Sequence, residues 1–284
     1  MKVLIATFSQ TGTTEAVAEV ITAGFESTGA TCTHIRIGRD AIPDVDQFDL
    51  IGIGSPAYVF RPPFAVTDFL KSLSPMRGKP FFTFVLYGTY PGATGNRIRR
   101  RLRRKGGVDL GYFKAAGADR FIGYLKAGVL FSPGHPDKDE LEAARSFASD
   151  IAERVRRYAE DGTAPSPEPY DPATPAIYAL ERSFLNRLFV RSVLSRGFSA
   201  DDNCTSCGIC VDRCPTDNIS LLGPVPSWGR ECLLCGTCEM VCPVGAVHSP
   251  YDWAVNRAVV RLNIWRAKRA GIPSVRLRRK PPGA

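Results

Sequence analysis

The chain has 284 residues, 44% of them hydrophobic, and a formal net charge of +9. That is enough for one large or two modest domains, each with its own core. No run approaches the ~20 consecutive apolar residues of a membrane-spanning helix. Met1 to Ala6 has neither the apolar length nor the cleavage site of a secretory signal, so a cytoplasmic, reducing compartment is expected, where clustered cysteines are metal ligands before they are disulfides.

Lys2 to Phe8 is a short apolar run that ends in Ser9, Gln10, Thr11, Gly12, Thr13 and Thr14, after which Val17, Val20, Ile21 and Phe25 recur on one helical face. This reads as strand, hydroxyl-rich loop, helix. Backbone N–H groups in such a loop and at a helix start form a phosphate site, and the hydroxyls of Ser9, Thr11, Thr13 and Thr14 add neutral donors. The loop has no Lys or Arg and no Walker pattern, which suits a phosphate that stays bound. Simple capping of the helix is the alternative. Thr31 to Ile37 is expected as an edge strand, with Cys32 a packed thiol and His34 a surface residue. Phe48 to Gly54 is a buried strand ending in Ser55, Pro56, Ala57 and Tyr58. Pro62 and Pro63 open a helix carrying Phe64, Phe69, Leu70 and Leu73. Lys79 to Tyr87 is another strand, followed by Gly88, Thr89 and Tyr90. An Arg-rich helix starts near Thr94 and holds Arg97, Arg99, Arg100, Arg101, Arg103, Arg104 and Lys105. A last strand is expected over Ala118 to Leu125, and a helix over Pro136 to Tyr158 with Asp137, Asp139 and Glu140 at its positive end.

Strands alternating with helices imply a parallel sheet covered on both faces, with ligands at the carboxyl ends of the strands near the topological switch. The loops at Ser9–Thr14, Ser55–Tyr58 and Gly88–Gly92 meet that condition, and the tyrosines of the latter two can flank a flat aromatic ring. Gly52 and Gly54 lack the third glycine of a dinucleotide fingerprint.

Residues 161–175 carry Gly162, Pro165, Pro167, Pro169, Pro172 and Pro175, a composition that makes a stiff, extended linker. Ala176 to Arg196 reads as one amphipathic helix. Eight of the nine cysteines follow in two runs, Cys204, Cys207, Cys210 and Cys214 before Pro215, then Cys232, Cys235, Cys238 and Cys242 before Pro243. Each recurs 28 positions later. The pattern resembles the two-cluster run of bacterial ferredoxins, in which three cysteines hold one 4Fe-4S cluster and the fourth ligates the other. That ligation groups Cys204, Cys207 and Cys210 with Cys242, and Cys232, Cys235 and Cys238 with Cys214. Structural zinc is the alternative for any Cys-x-x-Cys pair, but two complete four-cysteine runs, each followed by proline, argue against it. Ile219 and Val247, related by the repeat, are placed to shield the clusters, and Trp228 to pack against the loop of the second cluster. Residues 251–269 read as a helix bearing Trp253, Val259, Leu262 and Trp265. The basic runs 97–105 and 257–280 are solvated faces, or docking surfaces for an acidic partner or an anionic membrane. No nucleic-acid recognition motif accompanies them.

The first loop and the segments Gly54–Tyr58 and Tyr87–Tyr90 resemble the phosphate and isoalloxazine loops of the flavodoxin family, which implies FMN. In order, the chain resembles flavodoxin–ferredoxin fusion electron-transfer proteins. The implied fold is an α/β flavodoxin-like doubly wound parallel sheet over residues 1–160. A linker and helix at 161–196 would lead to a small α+β two-cluster ferredoxin domain at 197–250 and a basic helix and tail at 251–284. The implied function is electron transfer between FMN and two 4Fe-4S clusters, with other redox proteins (ferredoxin, flavodoxin or a reductase) as partners. Reduction of a small substrate such as a quinone, or service as a redox subunit of a larger or membrane-associated complex, are the alternatives.

Overall fold

The computed structural model describes residues 1–173 and 175–277. Its elements run β1 (Lys2–Thr7), α1 (Thr13–Glu26), β2 (Thr31–Arg36), β3 (Leu50–Pro56), α2 (Phe64–Ser72), β4 (Pro80–Tyr87), α3 (Thr94–Arg104), β5 (Val108–Ala116), α4 (Ile122–Lys126), β6 (Val129–Phe131), α5 (Lys138–Asp161), α6 (Ala176–Phe184), α7 (Arg187–Ser192), β7 (Ser199–Ala200), α8 (Ile209–Asp212), β8 (Ile219–Ser220), β9 (Ser227–Trp228), α9 (Thr237–Met240), β10 (Val247–His248), α10 (Ala254–Arg269) and β11 (Ser274–Arg276). Arg278, Arg279 and Lys280, the end of the second basic run, lie outside the described residues. The chain divides into two compact units: residues 1–117 with 134–179, and residues 118–133 with those from 180 onward.

In the first unit, five parallel strands form one sheet in the order β2-β1-β3-β4-β5. This is the flavodoxin-like winding, with its switch between β1 and β3. The apolar runs become the central strands, buried along nearly their whole length, while β2 alternates as an edge strand. Right-handed crossovers place α1 on one face and α2 and α3 on the other, because the chain moves in opposite directions across the sheet before and after the switch. α5 packs beside α1, so that Ala144, Ala148 and Ile151 meet Val17, Ile21 and Phe25 over Val3, Ile5, Phe82 and Phe84. Gly52 and Gly54 serve this core. A Cβ on either would lie 2.2 Å from the Cζ of Phe82 or Phe84, whose rings cross the neighbouring strand.

The fifth strand is Val108–Ala116, not Ala118 to Leu125, where the chain instead enters the short helix α4. Asp109, Gly111 and Lys114 hide its pattern. Asp109 is buried in an ion pair with Arg99 at 2.8 Å, and Gly111 lies where a Cβ would come 2.4 Å from Ile151. The helix at 138–161 opens on a capping box between Asp137 and Glu140 and closes on Gly162.

The proline-rich linker is fastened to its own unit rather than left as a free spacer. Arg99, fully buried, donates to the carbonyls of Glu168 at 2.6 Å and Pro169 at 3.2 Å. Asn96 exchanges two 2.9 Å bonds with the backbone of Asp171, whose carboxylate accepts from Tyr112 at 2.7 Å and Lys114 at 2.6 Å. Prolines remove backbone donors and bar regular pairing, so this strand-like strap satisfies its polar groups through side chains of α3 and β5. Arg100 and Arg103 complete the clamp on Tyr170, so part of the first basic run holds this chain itself.

The helix expected over Ala176 to Arg196 is broken. The Asn186 side chain accepts from the Phe189 N–H at 3.0 Å and starts a second helix. In the second unit, the two cysteine runs share a backbone path. Ser206, Gly208 and Asp217 have φ of 54°, 76° and 48°, and their repeat partners Leu234, Gly236 and Gly245 have 56°, 70° and 65°. Each run passes through a one-turn helix, α8 or α9, to a two-residue strand. β8 pairs with β9, and β10 pairs with β7, both antiparallel. α10 lays Val260 and Ala267 on Tyr124, Val129 and Phe131, and β11 pairs antiparallel with β6. Residues 118–133 therefore fold with the C-terminal segment, interrupting the continuous span 1–160.

Candidate functional site

The eight clustered cysteines meet in two cavities, each drawing on both runs. Cys204, Cys207, Cys210 and Cys242 line one, with Leu221, Val244 and Val247 in its apolar wall. Cys214, Cys232, Cys235 and Cys238 line the other, with Phe198, Ile219 and Trp228. The exchange follows from the repeat. Each loop and the short helix after it hold the first three cysteines of their own run, and the turn before each Cys-Pro carries the fourth thiol across to the other half.

Backbone N–H groups point at the sulfurs. Asn218 donates to Cys214 Sγ at 3.3 Å and Ala246 to Cys242 Sγ at 3.2 Å, positions 28 apart. Leu234 donates to Cys232 Sγ at 3.4 Å. Burial pushes the Cys232 thiol up to about 12, and burial with the neighbouring cysteines also raises Cys235 and Cys238. Burial raises Cys210 as well. Thiols in such surroundings stay protonated at neutral pH unless a cationic centre draws the proton off. Four sulfurs without a histidine or carboxylate in the lining select a soft, thiophilic centre, and the amides aimed at them suit the charge of an iron–sulfur core. The residues present fit such a group.

Two residues, Glu239 and Lys126, belong to no local motif. Glu239, wholly buried beside Cys238, forms an ion pair with Lys126, which also reaches Asp252 at 2.6 Å. Burial raises the Glu239 carboxyl above its ordinary range. Lys126 sits on α4, more than a hundred residues away in sequence, so no local pattern announces the pair. Trp228 stacks on Phe198 at 5.9 Å in the wall of the second cavity.

In the first unit, the three loops follow β1, β3 and β4, adjacent strands, and so are neighbours along the carboxyl edge of the sheet. Gly12 precedes α1 in the left-handed conformation, φ 85°, with open space around its α-carbon. The Thr11 and Thr13 hydroxyls lie 3.4 Å apart, and Ser9 Oγ accepts from the Glu15 N–H at 3.4 Å. Thr14 is buried at the start of the helix. The Tyr58 hydroxyl donates to Gln10 Oε1, and its ring meets Phe8 edge-on at 6.0 Å, which ties the first loop to the second. Ser55 is buried and donates to the Pro56 carbonyl at 2.9 Å, and the Ala57 N–H donates to Leu86 O at 2.8 Å, joining the second loop to β4. Tyr87 ends β4 and leads through Gly88 and the buried Thr89 to Tyr90.

Tyr90 lies 6.3 Å from Phe60 and 5.2 Å from Tyr178, which in turn is 4.5 Å from Phe60. Neither Phe60 nor Tyr178 stood out in the sequence. Their meeting depends on the strap that brings residue 178 back to this edge. His34 is also more than a surface residue: its Nε2 lies 2.7 Å from Thr7 Oγ1, which donates to Glu15 at 3.1 Å.

Residues 201–220 and 230–248 match the 4Fe-4S binding domain. No curated protein matches the chain. Among solved structures, a flavodoxin from the domain Archaea is 21% identical, with 55% of this chain and 99% of that one covered and a TM-score of 0.44. Two-electron reduced Megasphaera elsdenii flavodoxin is 23% identical, covering 53% and 98%, with a TM-score of 0.42. The flavodiiron protein from Giardia intestinalis is 22% identical, covering 58% and 38%, with a TM-score of 0.42. With the strand order of its sheet fixing the first fold and the matched segment the second, this chain joins a flavodoxin-like α/β unit to a 4Fe-4S ferredoxin-type unit.

Proposed function

We propose that the chain is an electron carrier that links an FMN in the first unit to two 4Fe-4S clusters in the second. The observation that carries this is the sorting of eight cysteines into two four-thiol cavities, each sharing a ligand with the opposite run. Clusters move single electrons, and a flavin takes one or two. Cys204, Cys207, Cys210 and Cys242 would hold one cluster, and Cys214, Cys232, Cys235 and Cys238 the other. The Asn218 and Ala246 amides stabilise the ligating sulfurs, and the apolar walls keep water from them. In the first unit, the amides and hydroxyls of residues 9–14 would hold the phosphate at the start of α1. Residues 55–58 and 87–90 would border the ring system, with Tyr58 fixed by Gln10 and Tyr90 by its aromatic neighbours.

The exposed members of the 97–105 run, Arg97 and Arg104 among them, suit redox partners with acidic docking surfaces. Anaerobic purification followed by iron, sulfide and flavin assays on one sample tests the whole reading. About eight irons and one flavin per chain are expected. Iron without flavin would remove the first centre from the proposal, and zinc in place of iron would remove the other two.

A further inference from the structure

α10 has three stripes. Helical spacing sets Val260, Asn263 and Ala267 on the buried side, and Val255, Ala258, Val259, Leu262 and Trp265 on a second side. That second side is open and apolar from Val255 to Trp265, with Arg266 and Arg269 on the same side in the last turn: Val255 is 66% exposed, Leu262 42% and Trp265 55%. Arg257, Arg261 and Lys268 form a third stripe along its border, and the Arg269 guanidinium lies over the Trp265 ring at 5.3 Å. No Asp or Glu occurs from Trp253 to Leu277. Asn263 also donates to the Glu181 carboxylate at 3.0 and 3.1 Å, which brings α6 alongside. There Leu180 is 55% and Phe184 66% exposed.

Outward-facing aromatic and aliphatic side chains on adjoining helices mark an interaction surface. An exposed apolar stripe containing Trp, bordered by Arg and Lys, is the pattern of a helix that lies among lipid headgroups. Among the described residues, no helix is long and apolar enough to cross a membrane. A second copy of the chain docked face to face would set arginines against arginines.

We propose that α10, with α6 beside it, seats the second unit on an anionic phospholipid surface. Its apolar side chains enter the acyl boundary, and Arg257, Arg261 and Lys268 meet the headgroup phosphates. Such seating needs nothing from the redox centres, so it stands apart from the electron-carrier reading.

The test is co-sedimentation of the full chain, purified anaerobically, with vesicles of phosphatidylcholine alone or mixed with phosphatidylglycerol. Binding is expected only to the mixed vesicles and weakens as salt rises. Arg257→Ala and Arg261→Ala each lower it about fivefold. Leu262→Asp and Trp265→Asp abolish it, while Leu222→Asp, at a position 95% exposed outside this face, leaves it unchanged. Circular dichroism and thermal unfolding establish that the variants are folded. Three results would overturn the proposal: no binding to mixed vesicles at low salt, binding indifferent to Leu262→Asp and Trp265→Asp, or a dimer in gel filtration that Leu262→Asp dissociates.

Discussion

Each cysteine of the second unit occupies a place that its partner 28 residues away repeats, so crossed ligation is testable by pairing substitutions. Cys214 shares a cavity with Cys232 and not with Cys204. Cys214→Ala with Cys232→Ala is expected to leave about four irons per chain, and Cys214→Ala with Cys204→Ala almost none. The reverse outcome would mean that each run holds its own cluster. The ninth cysteine behaves differently. Cys32 lies against the first unit's core, and burial, aided by the Glu26 charge, raises its thiol to about 11. A thiol becomes a nucleophile only on losing its proton, and at pH 8 far less of Cys32 is ionised than of an ordinary cysteine. Its alkylation, followed by mass spectrometry, is expected to run about a hundredfold slower than that of a model thiol and to rise with pH toward 11. A rate equal to the model thiol's would show that the site is open.

At the scale of elements, the sheet and the strap each rest on one close contact. On β3, Gly54→Ala would drive a methyl to 2.2 Å from Phe84 Cζ and 2.8 Å from Thr7 Cγ2. A loss of about 1–3 kcal/mol is expected in denaturant unfolding, the usual range for overpacking a tight core. The strap depends on Arg99. Its guanidinium joins the buried Asp109 carboxylate to the Glu168 and Pro169 carbonyls. Arg99→Ala leaves that carboxylate buried without its cation, at a cost of about 3–5 kcal/mol, and releases the chain after α5. Limited proteolysis between residues 161 and 175 is expected to accelerate in the variant. Cleavage at the parent rate would show that Asn96 and Lys114 hold the strap without it.

For the whole molecule, the interleaving of the units predicts where the chain can be cut. A fragment of residues 1–179 keeps α4 and β6 but loses α10 and β11, which cover Tyr124, Val129 and Phe131. It is expected to aggregate. The same fragment with residues 118–133 replaced by a short Gly/Ser linker is expected to stay monomeric by light scattering, because β1 to β5 and their helices form a complete layer set without them. Equal solubility of the two fragments would argue that residues 118–133 need no cover.

What the amino-acid order settled by itself was local. Cysteine spacing with glycine two residues before the third ligand fixes a tight turn, and the 28-residue recurrence makes two such turns equivalent. The apolar runs of β1, β3 and β4 identify buried parallel strands, because both faces of each must be covered. The tertiary structure decided what depends on distant partners. β5 is obscured because Asp109 is balanced by Arg99, Lys114 by Asp171, and its glycine packs against Ile151. The strap was read as a spacer because its fastenings lie on α3 and β5, some seventy residues earlier by the Arg99–Glu168 and Asn96–Asp171 bonds. Residues 118–133 fold with the second unit because α10 and β11, the partners of α4 and β6, come more than a hundred residues later. A side chain's neighbours in sequence set its backbone. Its burial and its charge balance are set by whatever the fold returns to it.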